Sequence, residues 1–202
     1  HRLPGHLATR PRRFQRMDHQ GGRRRVEADP QTQTLKIDPS KMIVRAIIST
    51  IQPDRVGDVI IPAGLRNANE YLHNPVVLWA HQRSLPPVGV CQKLEVEEDR
   101  IIAETKFSTT TQFAHDVFTL YAEGILRGWS IGFIPVEVFP ITPSREYPQG
   151  GTCYPSWDLL EYSAVPLPEN PQALTLAVRK GMIKDADLRG WLIHDVLATL
   201  LH

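Results

Sequence analysis

The segment GWSIGFIPVEVF, residues 128–139, decides how this chain is read. It opens with Gly128-Trp129-Ser130-Ile131-Gly132, which satisfies the G-x-S-x-G pattern of a nucleophile elbow. An elbow needs a helix directly after the serine and partners in the chain order serine, acid, histidine. The residues after Ser130 instead alternate, are rich in β-branched side chains and include Pro135, so they predict a strand over 129–139. The only histidines downstream are His194, in an amphipathic stretch, and His202 at the end of the sequence. On a strand, period-two alternation sets Ser130 and Gly132 on one face and Trp129, Ile131 and Phe133 on the other. The bulky face would anchor the strand in a core, and the small face leaves room for a substrate backbone above a hydroxyl. A serine between two glycines at a bend in an ordinary strand fits the same residues.

Working outward, 111–123 predicts a helix, because Phe113, Val117, Leu120 and Tyr121 fall at helical spacing and Gly124 follows as a stop. The run 75–80 (PVVLWA) is apolar throughout and ends in His81, which predicts a strand buried on both faces. Runs 88–96 and 101–107 flank the polar turn 97–100 and read as a hairpin. Earlier, 33–37 and 42–50 have strand composition, and 53–64 (PDRVGDVIIPAG) reads as turn, short strand, turn. Downstream, 140–155 is rich in Pro and Gly and predicts a surface loop, and 157–165 predicts a strand. Over 185–201, Leu188, Trp191, Leu192, Val196, Leu197 and Leu200 fall on one side of an amphipathic helix. The sum is a mainly β fold with helices (α+β). A closed or nearly closed antiparallel β-barrel is the natural way to remove its exposed strand edges.

Of 202 residues, 42% are hydrophobic and 22% charged, an ordinary globular balance. The net charge of +1 hides an asymmetry, since residues 1–25 carry eight Arg against the single acid Asp18. The remainder is mildly acidic, which argues against a general nucleic-acid-binding fold. Residues 1–30 lack apolar periodicity and predict a disordered Arg-rich tail, followed by a β-barrel domain over 31–176 and a helical segment over 177–202. The sequence opens at His1, and Met17 and Met42 are candidate starts. Cys91 and Cys153 are too few for a disulfide framework and match no metal spacing. No metal or cofactor is expected. No run reaches the ~18 apolar residues needed to span a bilayer, so no membrane association is expected.

Two further residues have the chemistry to serve Ser130. His81 ends an apolar strand, and histidine is the side chain that exchanges a proton near neutral pH. Glu161 lies in an apolar run (LLEYSAV), where a carboxylate must be paired to be tolerated. Pairing with the second imidazole nitrogen would fix the tautomer and stabilise the imidazolium. A hydrogen-bonded structural histidine and a solvent-facing glutamate fit the same residues.

Taken together, DRVGDVIIPAG (54–64), NPVVLWAHQ (74–82), PVGV (87–90), GILRGWSIGF (124–133) and LLEYSAVPLPENPQA (159–173) follow in an order and spacing that resembles the prohead (capsid-maturation) proteases of tailed bacteriophages. The resemblance covers about residues 42–175. It implies a serine endopeptidase with Ser130 as nucleophile and His81 as general base. Glu161 takes the third position, and Asp158 is the fallback. It also implies an assemblin-like β-barrel surrounded by helices, because the family is distantly similar to the herpesvirus assemblins. The implied substrates are the scaffolding protein or the major capsid protein's scaffolding segment, and the protease itself. The implied location is the procapsid interior in the host cytoplasm, with the C-terminal helix as a possible homodimer contact and no specific nucleic-acid partner. The rival from another class is a non-catalytic capsid assembly or scaffolding module. A small-molecule esterase rests on G-x-S-x-G alone.

Overall fold

The computed structural model describes residues 32–54, 56–166 and 171–198. The expected Arg-rich tail over 1–30 lies outside the described residues.

Eight strands form one sheet: β1 (Gln33–Asp38), β2 (Ile43–Thr50), β3 (Val59–Ile60), β4 (Val76–Trp79), β5 (Gly89–Val96), β6 (Arg100–Phe107), β7 (Trp129–Ile141) and β8 (Gly151–Ala164). Their order is β1-β2-β6-β5-β4-β8, with β7 along one edge of β8 while β3 and β4 divide the other. The expected hairpin is present as β5–β6, closed by a hydrogen bond from Glu97 N to Arg100 O (2.9 Å). Val44, Ala46, Ile47 and Ile48 of β2 and Ile101, Ile102 and Ala103 of β6 are buried, on both faces at the centre of the pair, and their side chains hold the two strands together. The helix expected over 111–123 is α2 (Gln112–Ala122), preceded by the short α1 (Ala68–Tyr71). The Thr111 side chain caps α2 by accepting from Ala114 N, and Gly124 follows with φ 67°, the left-handed turn that ends the helix. Its Phe118 and Tyr121 meet Phe107 at 5.6 and 6.0 Å between ring centroids.

The expected closed barrel is not what forms. Among the described residues no ladder joins β7 back to β1 or β2, and β8 runs parallel to β3 and β4, so the sheet is mixed as well as open. One side chain bridges the gap: the Thr32 hydroxyl accepts from Trp129 N (2.9 Å) and donates to Trp129 O (3.2 Å). A hydroxyl supplies both donor and acceptor, so it satisfies the start of β7 without another strand. The loop expected over 140–155 is also shorter, because β7 runs on to Ile141 and β8 begins at Gly151. Prolines misled that reading. Pro140 sits in β7, an edge strand among the described residues, and Pro155 falls at an irregularity where pairing with β7 lapses.

After α3 (Pro171–Arg179), α4 (Ala186–Trp191) continues into a π-helical turn over Leu192–Leu197. Leu188, Leu192, Val196 and Leu197 are buried in the core of the same chain, and Trp191 meets Trp79 edge-on at 5.6 Å. Among the described residues no helix is long and apolar enough to cross a membrane.

Asp116 of α2 ties this C-terminal segment down. Its buried carboxylate accepts from Lys184 N (2.6 Å), Asp185 N (2.7 Å) and Gln112 Nε2 (2.6 Å). Asp116→Ala leaves two backbone N–H groups unpaired and is expected to lower the unfolding free energy by about 3 kcal/mol. Urea denaturation of the variant against wild type measures it.

Candidate active site

Antiparallel pairing of β7 with β8 sets Ser130 opposite Ser163 and Gly132 opposite Glu161, so all four positions share one face. The other face of β7 is anchored by Trp129, which is fully buried, stacks on Tyr121 at 4.7 Å and meets Tyr162 at 5.8 Å. Ile131 and Phe133 pack against the same core. One irregularity matters: Gly132 pairs with Glu161 but Phe133 pairs with Leu159, so Leu160 is an extra residue in β8. Such a bulge re-aims the side chains beside it. Beyond Ser130 the chain continues as strand to Ile141, without the helix that a nucleophile elbow requires.

His81 arrives from β4, which runs parallel to β8 with Leu78 beside Ser163 and Trp79 beside Ala164. Past Trp79 the chain turns sharply. Ala80 (φ 49°) and His81 (φ 59°) are both left-handed, a conformation that costs a non-glycine residue on the order of 1 kcal/mol. Three bonds hold the turn: Ala80 N to Ala164 O (2.8 Å), His81 N to Ser163 Oγ (3.0 Å) and Gln82 N to Trp79 O (2.8 Å). Thus the imidazole folds back over β8.

There His81 Nε2 lies 2.9 Å from Ser130 Oγ, and Nδ1 lies 2.5 Å from Glu161 Oε1. The second carboxylate oxygen accepts from Ser163 Oγ at 2.7 Å. The Glu161 side chain is only 4% exposed, so its pairing is obligatory, whereas His81 is 28% exposed and accessible from solvent. A carboxylate can only accept, so in the neutral ring Nδ1 carries the proton and the bare Nε2 faces the serine hydroxyl. This is the arrangement in which an imidazole can take a proton from a hydroxyl.

The structure therefore brings Ser130 of β7 and Glu161 of β8 together with His81 from the turn after β4. The fallback Asp158 faces elsewhere, its Oδ1 3.6 Å from Arg66 Nε. Cys91 is buried in the core, where desolvation raises its thiol pKa and its Sγ donates to Lys93 O. Sequence reasoning passed over Ser163. The signal was present, because a residue two beyond Glu161 on a strand shares its face. It also misassigned the space over Gly132. That space was expected to receive substrate backbone, but a Cβ there would overlap Glu161 Oε1, so the missing side chain makes room for the carboxylate.

Comparison with known proteins adds an independent finding. A family model described as caudovirus prohead serine protease matches residues 43–186, which include all four clustered residues. Relatives include the prohead protease of Escherichia phage T5, 32% identical over 93 residues that make up 45% of this chain and 43% of that protein. Another is the capsid polyprotein of Pseudomonas phage PAJU2, 29% identical over 149 residues, 71% of this chain and 21% of that protein. The chain thus spans less than half of the first relative and about a fifth of the second. No solved structure matches the chain.

Gly132→Ala tests the packing of the site. The added methyl must push Glu161 Oε1 away from His81, at a cost of about 1–3 kcal/mol of stability. The short Nδ1–Oε1 contact is expected to place the wild-type His81 Nδ1–H proton resonance far downfield and the variant's much less so, and equal shifts in the two would refute the clash.

Proposed function

The chain belongs to the caudovirus prohead serine protease family, and on that premise we propose that Ser130, His81 and Glu161 are the catalytic residues of an endopeptidase acting on capsid-assembly proteins. One observation carries the reading: a single imidazole contacts the serine hydroxyl through Nε2 and a buried carboxylate through Nδ1.

In the proposed reaction Ser130 Oγ attacks the peptide carbonyl carbon while His81 Nε2 takes the hydroxyl proton. A tetrahedral oxyanion forms, which backbone N–H donors stabilise by about 3–4 kcal/mol each in such sites. Collapse breaks the C–N bond, and His81 passes its proton to the departing amine. The acyl-enzyme is then cleaved by water, with His81 again accepting a proton and returning it to Ser130. Glu161 stays ionised throughout, holding the ring's tautomer and stabilising the imidazolium. The order His, Ser, acid along the chain is no obstacle, because such groups are defined by geometry.

The family's description and the name of the PAJU2 relative support a scaffolding or capsid precursor as substrate. Self-cleavage and action inside the procapsid in the host cytoplasm belong to the same reading. A homodimer through the C-terminal helix would use its outer side, where Ile193 is exposed, since Leu188 and Leu192 are buried within the chain.

Ser130→Ala, co-expressed with the cognate capsid precursor, is expected to leave that precursor full-length by mass spectrometry. Wild-type processing by a folded Ser130→Ala protein would instead establish a non-catalytic assembly module. Glu161→Gln, which permits the wrong tautomer, is expected to lower kcat about 10²- to 10⁴-fold in a peptide-cleavage assay.

A further inference from the structure

Glu161 also forms part of the wall of a cavity of about 330 Å³. The other walls are Val76 and Leu78 of β4, the bulge residue Leu160, and Arg83, Leu85 and Pro87 from the loop that follows His81. The strand register fixes where this cavity lies. Leu78, Ser163 and Ser130 are abreast across β4, β8 and β7, so at roughly 4.8 Å per strand the Leu78 wall is about 10 Å from the serine. An extended peptide advances about 3.3 Å per residue, so a side chain within three residues of a bond at Ser130 reaches it.

The lining says which side chain fits. Leu160 and Leu85 are 40% and 37% exposed, so apolar walls stand open to water in a concavity beside reactive groups. Glu161 repels an acidic occupant, and with its side chain only 4% exposed it offers little to a neutral polar one. Arg83, exposed at the wall, offsets the pull of Glu161 on a basic occupant, so charge favours neither sign and the apolar walls decide. Pro86 and Pro87 restrict the loop's backbone, so the wall is largely preformed. The volume is ample for one aromatic side chain.

We propose that this cavity is the specificity subsite of the peptidase, selecting substrates by one large aliphatic or aromatic side chain within about three residues of the scissile bond. The inference rests on the reading of Ser130 and His81 as the reacting pair.

The test profiles cleavage of a diverse peptide library by wild type, Leu160→Trp and Leu85→Ala, alongside the rate at which a fluorophosphonate labels Ser130. Wild type is expected to require a large apolar residue at one fixed position from the cut. Filling the cavity in Leu160→Trp is expected to shift that preference toward Ala or Ser. It should also lower kcat/KM for the original peptides, relative to the labelling rate, by about 10- to 100-fold. Leu85→Ala, a change in an exposed loop, is expected to relax the preference without reversing it. Variants that label but keep the wild-type profile would overturn the subsite alone. A wild-type chain unlabelled at Ser130 would remove the catalytic reading, and this inference with it.

Discussion

The register of β7 on β8 is the constraint on which the rest of the molecule depends. Pairing Ser130 with Ser163 and Gly132 with Glu161 puts hydroxyl and carboxylate on one face, where a histidine from β4 meets both. A slip of one residue would turn every side chain of a strand to the opposite face. It would also bring Trp129 out of the aromatic cluster it forms with Tyr121, Phe107 and Tyr162. Burying such a ring is worth roughly 2–3 kcal/mol before its stacking contacts are counted. The hydrophobic core thus fixes the alignment, and the site inherits it.

Much of this was legible in the sequence where local chemistry and tertiary role agree. The alternation after Trp129 marked a strand, the spacing of Phe113, Val117, Leu120 and Tyr121 marked α2, and the apolar run into His81 marked β4. Five segments that together resemble one family point to Ser130, His81 and Glu161 as a set, although they lie far apart along the chain. Legibility failed where neighbours far along the chain decide the outcome. Prolines at 140 and 155 suggested a loop, yet an edge position and a lapse in pairing accommodate them. The four residues of α1 are too few for helical periodicity to register. Whether a sheet closes depends on how its outer strands meet. Here, among the described residues, a threonine hydroxyl bonds the start of β7 in place of a ladder, and no periodicity encodes that.

The bulge at Leu160 illustrates how one inserted residue changes the chemistry of a surface. A regular strand would send Leu160 and Glu161 to opposite faces. With the ladder interrupted, Glu161 engages His81 while Leu160 lines the adjoining cavity. Gly132 is the complement across the strand pair, an absence of side chain that the carboxylate fills. Ser163 then closes the arrangement, accepting from the His81 backbone and donating to Glu161. Donor and acceptor capacity are matched at each of these atoms, which lets a charge sit almost wholly out of water.

Two consecutive left-handed residues, Ala80 and His81, carry the imidazole to its place. Such a bend persists only while its surroundings over-determine it, so the corner behind the ring behaves like a sprung latch. Opening that latch breaks the hydrogen bonds of Ala80, His81 and Gln82 and strips the partner from a carboxylate that lies almost wholly out of water. The bend and the buried charge therefore secure one another: the corner hands the carboxylate its partner, and the carboxylate keeps the corner from relaxing.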